Sequence, residues 1–125
     1  MADALDFDSK TPIYMQIDTD IRKRILAGEL SAGDQLMSTT QYATTYRINP
    51  ATANKAFNQL AADGIIYKQR GIGMFVTDEA AVILRGEGRE SYRGDRLAPT
   101  IYEGLDLGYT PDEIRGIVND ILEDQ

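Results

Sequence analysis

The sequence predicts an α+β fold that is mainly α-helical, and three observations support this prediction. Apolar residues recur at a helical period in three stretches, residues 13–25, 53–60 and 114–122. A β-branched and aromatic pattern interrupted by glycines replaces that period over residues 65–77. Helix start and stop signals border the helical stretches. The expected order along the chain is therefore helices, then a hairpin, then further helices.

The composition limits the classes of protein that this chain can represent. Its 125 residues, 42% of them hydrophobic, suit one packed domain or a small domain with an appendage. With no Cys and no His, the chain lacks thiol nucleophiles and the commonest metal ligand, so we predict no cofactor and no metal site. No group of carboxylates or hydroxyls shows catalytic spacing, so we predict no enzymatic activity.

The chain also lacks signals for a membrane or for secretion. No apolar run approaches the length of a membrane-spanning helix. The N-terminus is acidic and lacks the basic start of a secretory signal. We therefore expect a cytoplasmic protein with no membrane partner.

The net charge of −7 is distributed unevenly. Residues 1–8 carry three acids and no base, residues 9–77 carry eight Lys or Arg against five acids, and residues 78–125 carry five Arg against twelve acids. A basic centre between acidic ends is compatible with a polyanionic partner despite the acidic total. We predict an acidic N-terminal tail over residues 1–10, a domain over residues 11–77 and a helical segment over residues 78–125.

The first helix is predicted to start at Thr11-Pro12, a capping residue followed by a first-turn proline. Isoleucines at every fourth position from Ile13 to Ile25 give it one apolar side, and it ends before Gly28. The cluster Arg22-Lys23-Arg24 lies near its C-terminal end, where cations favour the helix dipole. We prefer this interaction with the helix dipole, over contact with DNA, as the role of the cluster. A short strand is expected near Leu36.

Two further helices form a helix-turn-helix pattern. Ser38-Thr39-Thr40-Gln41 fits a capping box that starts a short helix ending near Tyr46. After the tight connection Arg47-Ile48, Asn49-Pro50 caps and starts a second helix. Gly64 is placed to end that helix.

The second helix of this pair has one apolar and one polar face. The apolar face consists of Ala53, Ala56, Phe57 and Leu60. The polar face has small or amide side chains, one cation and no carboxylate: Ala51, Thr52, Asn54, Lys55, Asn58 and Gln59. A carboxylate near DNA phosphates would be repelled, and amides and hydroxyls can pair with base edges. The alternative is an ordinary surface helix, and the neighbouring elements favour a helix that enters the major groove.

A β-hairpin is predicted after Gly64. Its strands cover residues 65–69 and 74–77, and Arg70-Gly71-Ile72-Gly73 forms the turn. A hairpin that follows a helix-turn-helix is a wing, and its Lys68 and Arg70 can reach the DNA backbone or minor groove. The two glycines cannot form a nucleotide-binding loop, because a strand follows them.

The C-terminal part is predicted to be a small helical dimerisation segment. One or two helical pieces are expected up to Gly108, with Gly94 and Pro99 kinking or interrupting them. Thr110-Pro111-Asp112-Glu113 then caps a last helix. About 48 residues with few aromatics cannot enclose a core alone. A second copy of the chain is the simplest partner, and packing within the chain is the alternative. The predicted interface residues are Ile101, Leu105, Ile114, Ile117, Val118, Ile121 and Leu122.

Residues 11–77 contain a set of residues whose types and spacing occur together in a known protein family. It consists of Pro12-x-Tyr14-x-Gln16-Ile17, Ile21, Ile25, Gly28-x-Leu30, Gly33, Leu36-x-Ser38, Ala43, Ala56, Leu60, Gly64-x-Ile66 and Gly71-x-Gly73-x-Phe75-Val76. With this set the chain resembles the GntR family of bacterial winged-helix regulators. The short tail and the run Ile48-Asn49-Pro50-Ala51-Thr52 resemble its YtrA subfamily, whose members share a small two-helix dimerisation segment. The resemblance implies a dimeric transcriptional regulator, typically a repressor.

Two positions depart from the family pattern. The family usually has Leu-Pro-Ser-x-Arg before the first helix of the motif, and here the run is Leu36-Met37-Ser38-Thr39-Thr40. Thr40 therefore stands where the resemblance implies a DNA-contacting Arg. Met74 stands where the wing usually has Thr.

Taken together, these features predict a winged helix-turn-helix repressor that binds a palindromic double-stranded operator as a homodimer. The predicted DNA-binding residues are Ser38, Thr40, Arg47, Asn49, Ala51, Thr52, Asn54, Lys55, Lys68, Arg70, Gly71 and Gly73. The alternative is a winged-helix adaptor that binds proteins and no nucleic acid. The acidic total charge favours the adaptor, whereas the acid-free helix face and the basic wing favour DNA. A small-molecule effector is left open, and no motif indicates one.

Overall fold

The computed structural model describes residues 5–124 and confirms an α+β, mainly α fold. Residues 1–4 of the predicted acidic tail and residue 125 lie outside the described residues. In chain order the elements are α1 (Ile13–Leu26), β1 (Gln35–Leu36), α2 (Thr39–Tyr46), α3 (Pro50–Ala62), β2 (Ile66–Gln69), β3 (Gly73–Val76), α4 (Ala80–Ser91), a π-helical segment (Tyr92–Leu97), α5 (Ala98–Asp106) and α6 (Pro111–Glu123). They divide into two compact units, one ending at Arg85 and the other beginning at Gly86.

Helix α1 starts differently from the prediction. Its N-cap residue is Pro12, and no side chain caps it, so the predicted cap by Thr11 is wrong. Asp8 orders the preceding turn instead, because its Oδ1 accepts the backbone N–H groups of Lys10 (2.9 Å) and Thr11 (3.1 Å). The Gln16 side chain donates to the carbonyls of Asp8 (3.0 Å) and Thr11 (2.7 Å) and accepts the N–H of Asp8 (2.9 Å). These contacts form a bracket, here called the Asp8–Gln16 bracket, that holds the first turn of α1.

The helix-turn-helix has the predicted caps. The Ser38 hydroxyl accepts the N–H of Gln41 at 3.1 Å, and the Gln41 side chain accepts the N–H of Ser38 at 3.0 Å. Asn49 caps α3, because its Oδ1 accepts the N–H of Ala51 at 2.8 Å. Between the helices, Arg47 adopts the left-handed conformation with φ 54° and ψ 50°, which costs a non-glycine residue about 1–2 kcal/mol. The single left-handed residue makes the connection tight.

The core of the first unit fixes the orientation of α3. The predicted apolar face is completely buried, at 0% exposure for Ala53, Ala56, Phe57 and Leu60. The Tyr42 ring of α2 meets the Phe57 ring edge-on, with centroids 5.5 Å apart. Burying a side chain of this size contributes about 1.5–3 kcal/mol. Helix α3 is therefore anchored along one side, and its polar face points to solvent.

Three short strands form an antiparallel sheet in the order β1–β3–β2. Strands β2 and β3 form the predicted hairpin, in which Tyr67 pairs with Phe75 and Gln69 pairs with Gly73. Strand β1 pairs Leu36 with Met74, so the strand expected near Leu36 is present. The wing predicted after the helix-turn-helix is confirmed.

The first compact unit extends past residue 77, where the sequence suggested a boundary. Ala80 and Leu84 of α4 are buried in the same core as Phe57. They lie four residues apart on one side of the helix, so the first turns of α4 complete this core. The unit ends at Arg85.

The second unit contains helix where the sequence suggested an interruption. Gly94 and the residues around it form the π-helical segment, and Pro99 lies in the first turn of α5. The residues before it, Leu97 and Ala98, are also helical, so Pro99 follows the π-helical segment without ending the helix. A π-helical segment is one way for a helix to continue through a perturbed stretch.

The turn between α5 and α6 follows the sequence signals. Gly108 has φ 96°, and Thr110 and Glu113 form the predicted capping box at 3.0 and 3.1 Å. The two helices pack closely at Gly104, where an added Cβ would lie 3.2 Å from Cδ1 of Ile114. Among residues 5–124, no helix is long and apolar enough to cross a membrane.

An ion pair links α1 to the end of α3. Arg22 donates to Asp63 at 2.5 Å and also to Asp18. The hydrogen bond from Arg22 lowers the pKa of the Asp63 carboxyl. A carboxylate with a lowered folded-state pKa stabilises the protein above its unfolded pKa of about 3.9, and this stability is lost as the pH falls through the folded-state pKa.

We expect Asp63→Asn to lower the free energy of unfolding at pH 7 by no more than about 1 kcal/mol, because solvent screens a partly exposed pair. The difference between variant and wild type should shrink at pH 3, where the carboxylate is becoming protonated. Urea unfolding at pH 7 and at pH 3 measures this difference in the free energy of unfolding. The exposed Asp78→Asn is the matched control. An equal difference at both pH values would contradict a stabilising ion pair between Arg22 and the Asp63 carboxylate.

Candidate nucleic-acid interface

An open groove of about 390 Å³ lies between the start of α2, the polar face of α3 and the wing. Its lining consists of Ser38, Thr39, Asn54, Lys68, Gln69, Gly71, Ile72, Gly73 and Met74. Five of the predicted DNA-binding residues are among them: Ser38, Asn54, Lys68, Gly71 and Gly73. Three separate stretches of sequence therefore meet at one surface.

The other predicted DNA-binding residues lie outside this lining. Those exposed to solvent are Thr40, Arg47, Asn49, Ala51, Lys55 and Arg70, and Thr52 is half-buried. Asn49 has a narrower range of roles than expected, because its side-chain oxygen is occupied by the N–H of Ala51. Its two amide N–H groups and the second lone pair of that oxygen are left for DNA.

A hydrogen bond beside the groove joins strand β2 of the wing to α3. The Lys68 ammonium donates to Oδ1 of Asn58. The sequence placed Asn58 on the polar face of α3 but not among the DNA-binding residues. Gln69 also lines the groove and was not predicted. Its position directly before the predicted turn of the wing, where it pairs with Gly73, is a signal that could have identified it.

The turn of the wing is supported from β1. Nε2 of Gln35 donates to the carbonyl of Ile72 at 3.1 Å. Gly73 has φ 149°, and an added Cβ would lie 2.5 Å from that same Nε2. Glycine at this position lets Gln35 brace the turn, so Gly73 shapes the wing whether or not it touches DNA.

The Lys55 side chain is held by an aromatic ring. Its ammonium lies 4.0 Å from the centroid of the Tyr14 ring of α1. Within the described residues, Lys55 forms no ion pair with a carboxylate, and neither do Arg47, Lys68 and Arg70. These four cations therefore keep their charge available to an external anion.

In the cluster Arg22-Lys23-Arg24 near the end of α1, unlike the four cations above, the arginines form ion pairs with carboxylates. Arg22 pairs with Asp18 and Asp63, and Arg24 pairs with Asp20 and Glu29. Arg22 and Arg24 are therefore engaged by carboxylates within the protein, as a cluster with no role in DNA contact would be. No acidic residue is among those that line the groove in the described part of the chain. A carboxylate at that position would repel phosphate.

Helix α6 presents an apolar stripe to solvent. Ile117, Val118, Ile121 and Leu122 are 39%, 38%, 59% and 62% exposed, and Leu105 of α5 is 41% exposed. Ile101 and Ile114, the other predicted interface residues, are half-buried.

Between residues 5 and 124, no group of three or more potential ligand side chains is placed to hold a metal ion.

Comparison with known proteins identifies the family. The family model described as bacterial regulatory proteins, gntR family, matches residues 13–76. The chain belongs to the GntR family. It is 33% identical over 121 residues to the transcriptional repressor YtrA of Bacillus subtilis strain 168, and the match covers 94% of this chain and 92% of that protein.

Solved structures agree with this GntR assignment. A transcriptional regulator from Oenococcus oeni superposes with a TM-score of 0.80 at 33% identity, covering 95% of this chain and 98% of that one. YtrA from Sulfolobus acidocaldarius, a GntR-family transcription factor, superposes with a TM-score of 0.56 at 33% identity, covering 97% of both chains. Family membership makes the chain a DNA-binding transcriptional regulator, and it does not favour the protein-binding adaptor.

Proposed function

We propose that this GntR-family protein is a sequence-specific repressor that binds a palindromic operator as a homodimer. The observation that carries the proposal is the acid-free groove where Ser38, Asn54 and Lys68 meet. Phosphate contacts position a protein on DNA, and base-edge contacts give it sequence preference. The groove offers groups for both tasks.

In the proposed docking, α3 enters the major groove N-terminus first and acts as the recognition helix. Ala51, Thr52 and Asn54 then lie nearest the base edges, and Lys55, on the same helix, reaches the phosphates that border the major groove. The start of α2, with Ser38 and Thr40, lies along the phosphate backbone, where helix N-terminal N–H groups suit anions. The wing residues Lys68, Arg70, Gly71 and Gly73 lie along the backbone or the adjacent minor groove. Arg47 and Asn49 flank the helix and add phosphate contacts.

The homodimer is proposed from the apolar stripe of α6. A stripe of large exposed apolar side chains marks an interaction surface more often than a solvated one. A second copy supplies the same stripe, so the contact is self-complementary about a two-fold axis. A two-fold dimer matches a palindromic site with half-sites about 34 Å apart. The repressor role is proposed from the YtrA relative, which carries that description.

Selection of bound duplexes from a random-sequence pool tests the proposal directly. We expect the purified full chain to enrich one inverted repeat and to bind it at least about 10³-fold more tightly than unrelated DNA. Enrichment of a single unrepeated site would remove the dimeric part of the proposal. No enrichment, with only salt-sensitive binding to all sequences, would remove the proposal altogether.

Thr40 provides a prediction about the phosphate contacts. We expect Thr40→Arg to strengthen binding to all DNA sequences by a similar factor and to steepen the dependence of log K on log salt by about one unit. Thr40 is exposed in the first turn of α2, beside the Ser38 cap. Titrations at several salt concentrations measure the slope.

Thr44→Arg is the matched control, because it adds the same charge to an exposed position of α2 one turn later. The control should change the slope less than the Thr40 variant. Equal slopes in both variants would show that Thr40 does not face the DNA backbone.

A further inference from the structure

Tyr14 is not among the residues assigned above to DNA, yet its ring contacts the recognition helix. The Lys55 ammonium lies 4.0 Å from the ring centroid, within the distance at which an aromatic face attracts a cation. Tyr14 is half-buried and Lys55 is exposed. The ring is therefore the fixed partner of this contact, and the lysine side chain is the one it restrains.

The position of the ring is set by contacts that do not involve Lys55. Tyr14 lies in the first turn of α1, which the Asp8–Gln16 bracket holds through five hydrogen bonds of 2.7–3.1 Å. Ile17, three residues later, is completely buried in the core. The backbone on both sides of Tyr14 is thus fixed before any DNA is bound.

We propose that Tyr14 is a positioning residue for DNA recognition, whose ring holds the Lys55 side chain in the conformation in which its ammonium meets a DNA phosphate. This inference rests on the proposed function, because it requires α3 to lie in the major groove. A lysine side chain loses rotamer freedom when it binds, and a side chain that is already restrained loses less. The ring attracts the ammonium through its face and takes no oxygen or nitrogen acceptor to do so. The N–H groups that point away from the ring are still available to phosphate oxygens.

A double-mutant cycle in the full chain tests the inference. Tyr14→Leu and Tyr14→Phe are each made in the wild type and in Lys55→Met, and the affinity is measured for the duplex that the wild type selects from a random pool. We expect Tyr14→Leu to weaken binding about two- to fivefold, the factor that corresponds to an exposed cation–π contact. Tyr14→Phe should bind like the wild type, because it keeps the aromatic face. In the Lys55→Met background, Tyr14→Leu should have no further effect.

Three results would overturn the inference. An equal loss from Tyr14→Leu in the Lys55→Met background would assign Tyr14 to packing. An equal loss from Tyr14→Phe would assign the effect to the hydroxyl group. Tighter binding by Tyr14→Leu would show that the ring withholds Lys55 from DNA.

The cycle also separates this inference from the proposed function. If Lys55→Met binds the selected duplex as tightly as the wild type, the inference fails, but the sequence-specific binding stands on other residues. If the wild type selects no duplex, the proposed function fails first. Thermal unfolding of each variant shows whether a loss of affinity reflects a loss of folded protein.

Discussion

Replacing Ile117 and Ile121 with Asp in the full chain should produce a monomer whose affinity for the palindromic operator is about 10²–10⁴-fold lower, because linkage of two half-site contacts is lost. Both side chains belong to the stripe on α6 and are 39% and 59% exposed in the single chain. In a dimer they become buried, and an unpaired carboxylate buried in an apolar interface is strongly unfavourable. The surfaces proposed to contact DNA keep their sequence, so each monomer should still bind a half-site weakly.

The matched control places two acids on the other side of the same helix. Gly116→Asp and Asn119→Asp change the charge equally, and a Cβ at Gly116 would meet no neighbouring atom within 4 Å. At about 100° per residue, both positions lie away from the apolar stripe. The control variant should stay dimeric and folded, because Asp is a better helix former than the Gly that it replaces at position 116 and is similar to the Asn at position 119.

Analytical ultracentrifugation and gel-shift titrations measure the two outcomes together. Inserting about five base pairs between the half-sites adds a second check, because it turns them to opposite faces of the duplex. The wild type should lose affinity for the spaced operator, and the Ile117 and Ile121 variant should not distinguish the two operators. A double variant that stays dimeric, or a monomer that binds as tightly as the wild type, would contradict the proposed interface.

The helix caps could be predicted because their chemistry is local. Ser38 with Gln41 and Thr110 with Glu113 each lie three residues apart, so the sequence alone contains both partners of each box. Asn49 likewise binds an N–H two residues away. The buried face of α3 was predictable for a similar reason, since helical spacing decides which side chains share one side.

The features that could not be predicted depend on contacts between distant residues. Thr11 has the sequence of a cap, but the Asp8–Gln16 bracket spans eight residues and replaces it. Lys68 and Asn58 lie on different elements, and Lys55 and Tyr14 meet only because α3 packs on α1. Composition and local propensity contain no information about such pairs.

The boundary between the two compact units could also not be located from the sequence pattern. The change in charge after residue 77 is real, but Ala80 and Leu84 show that burial in the core continues beyond it. Apolar residues at the start of a helix do not reveal which core they join. The region around Gly94 and Pro99 illustrates the same limit, because breaking, kinking and π-helical continuation share one sequence signal.

Asn54 is the amide of α3 that the groove leaves available for a base. It is exposed, lines the groove and forms no side-chain hydrogen bond with another described residue. The neighbouring amides are engaged, because Asn58 accepts from Lys68 and Gln59 donates to Asp63 at 3.2 Å. An asparagine amide can donate to and accept from adenine at the same time.

We therefore expect Asn54→Ala to weaken binding to a half-site by about 1–3 kcal/mol, which is roughly 5- to 150-fold, and to relax the base preference at one position. A palindrome contains that position twice, so the loss should appear at two symmetric positions. Repeating the random-pool selection with the variant shows which position loses its preference, and competition titrations give the affinity.

Gln59→Ala is the matched control, because it removes an amide from the same helix face at a position that does not line the groove. It should leave both the affinity and the selected sequence unchanged. A uniform loss by Asn54→Ala across all sequences would assign Asn54 to phosphate contact. Unchanged affinity together with an unchanged selected sequence would mean that α3 does not present this face to the bases, and the proposed docking would then be wrong.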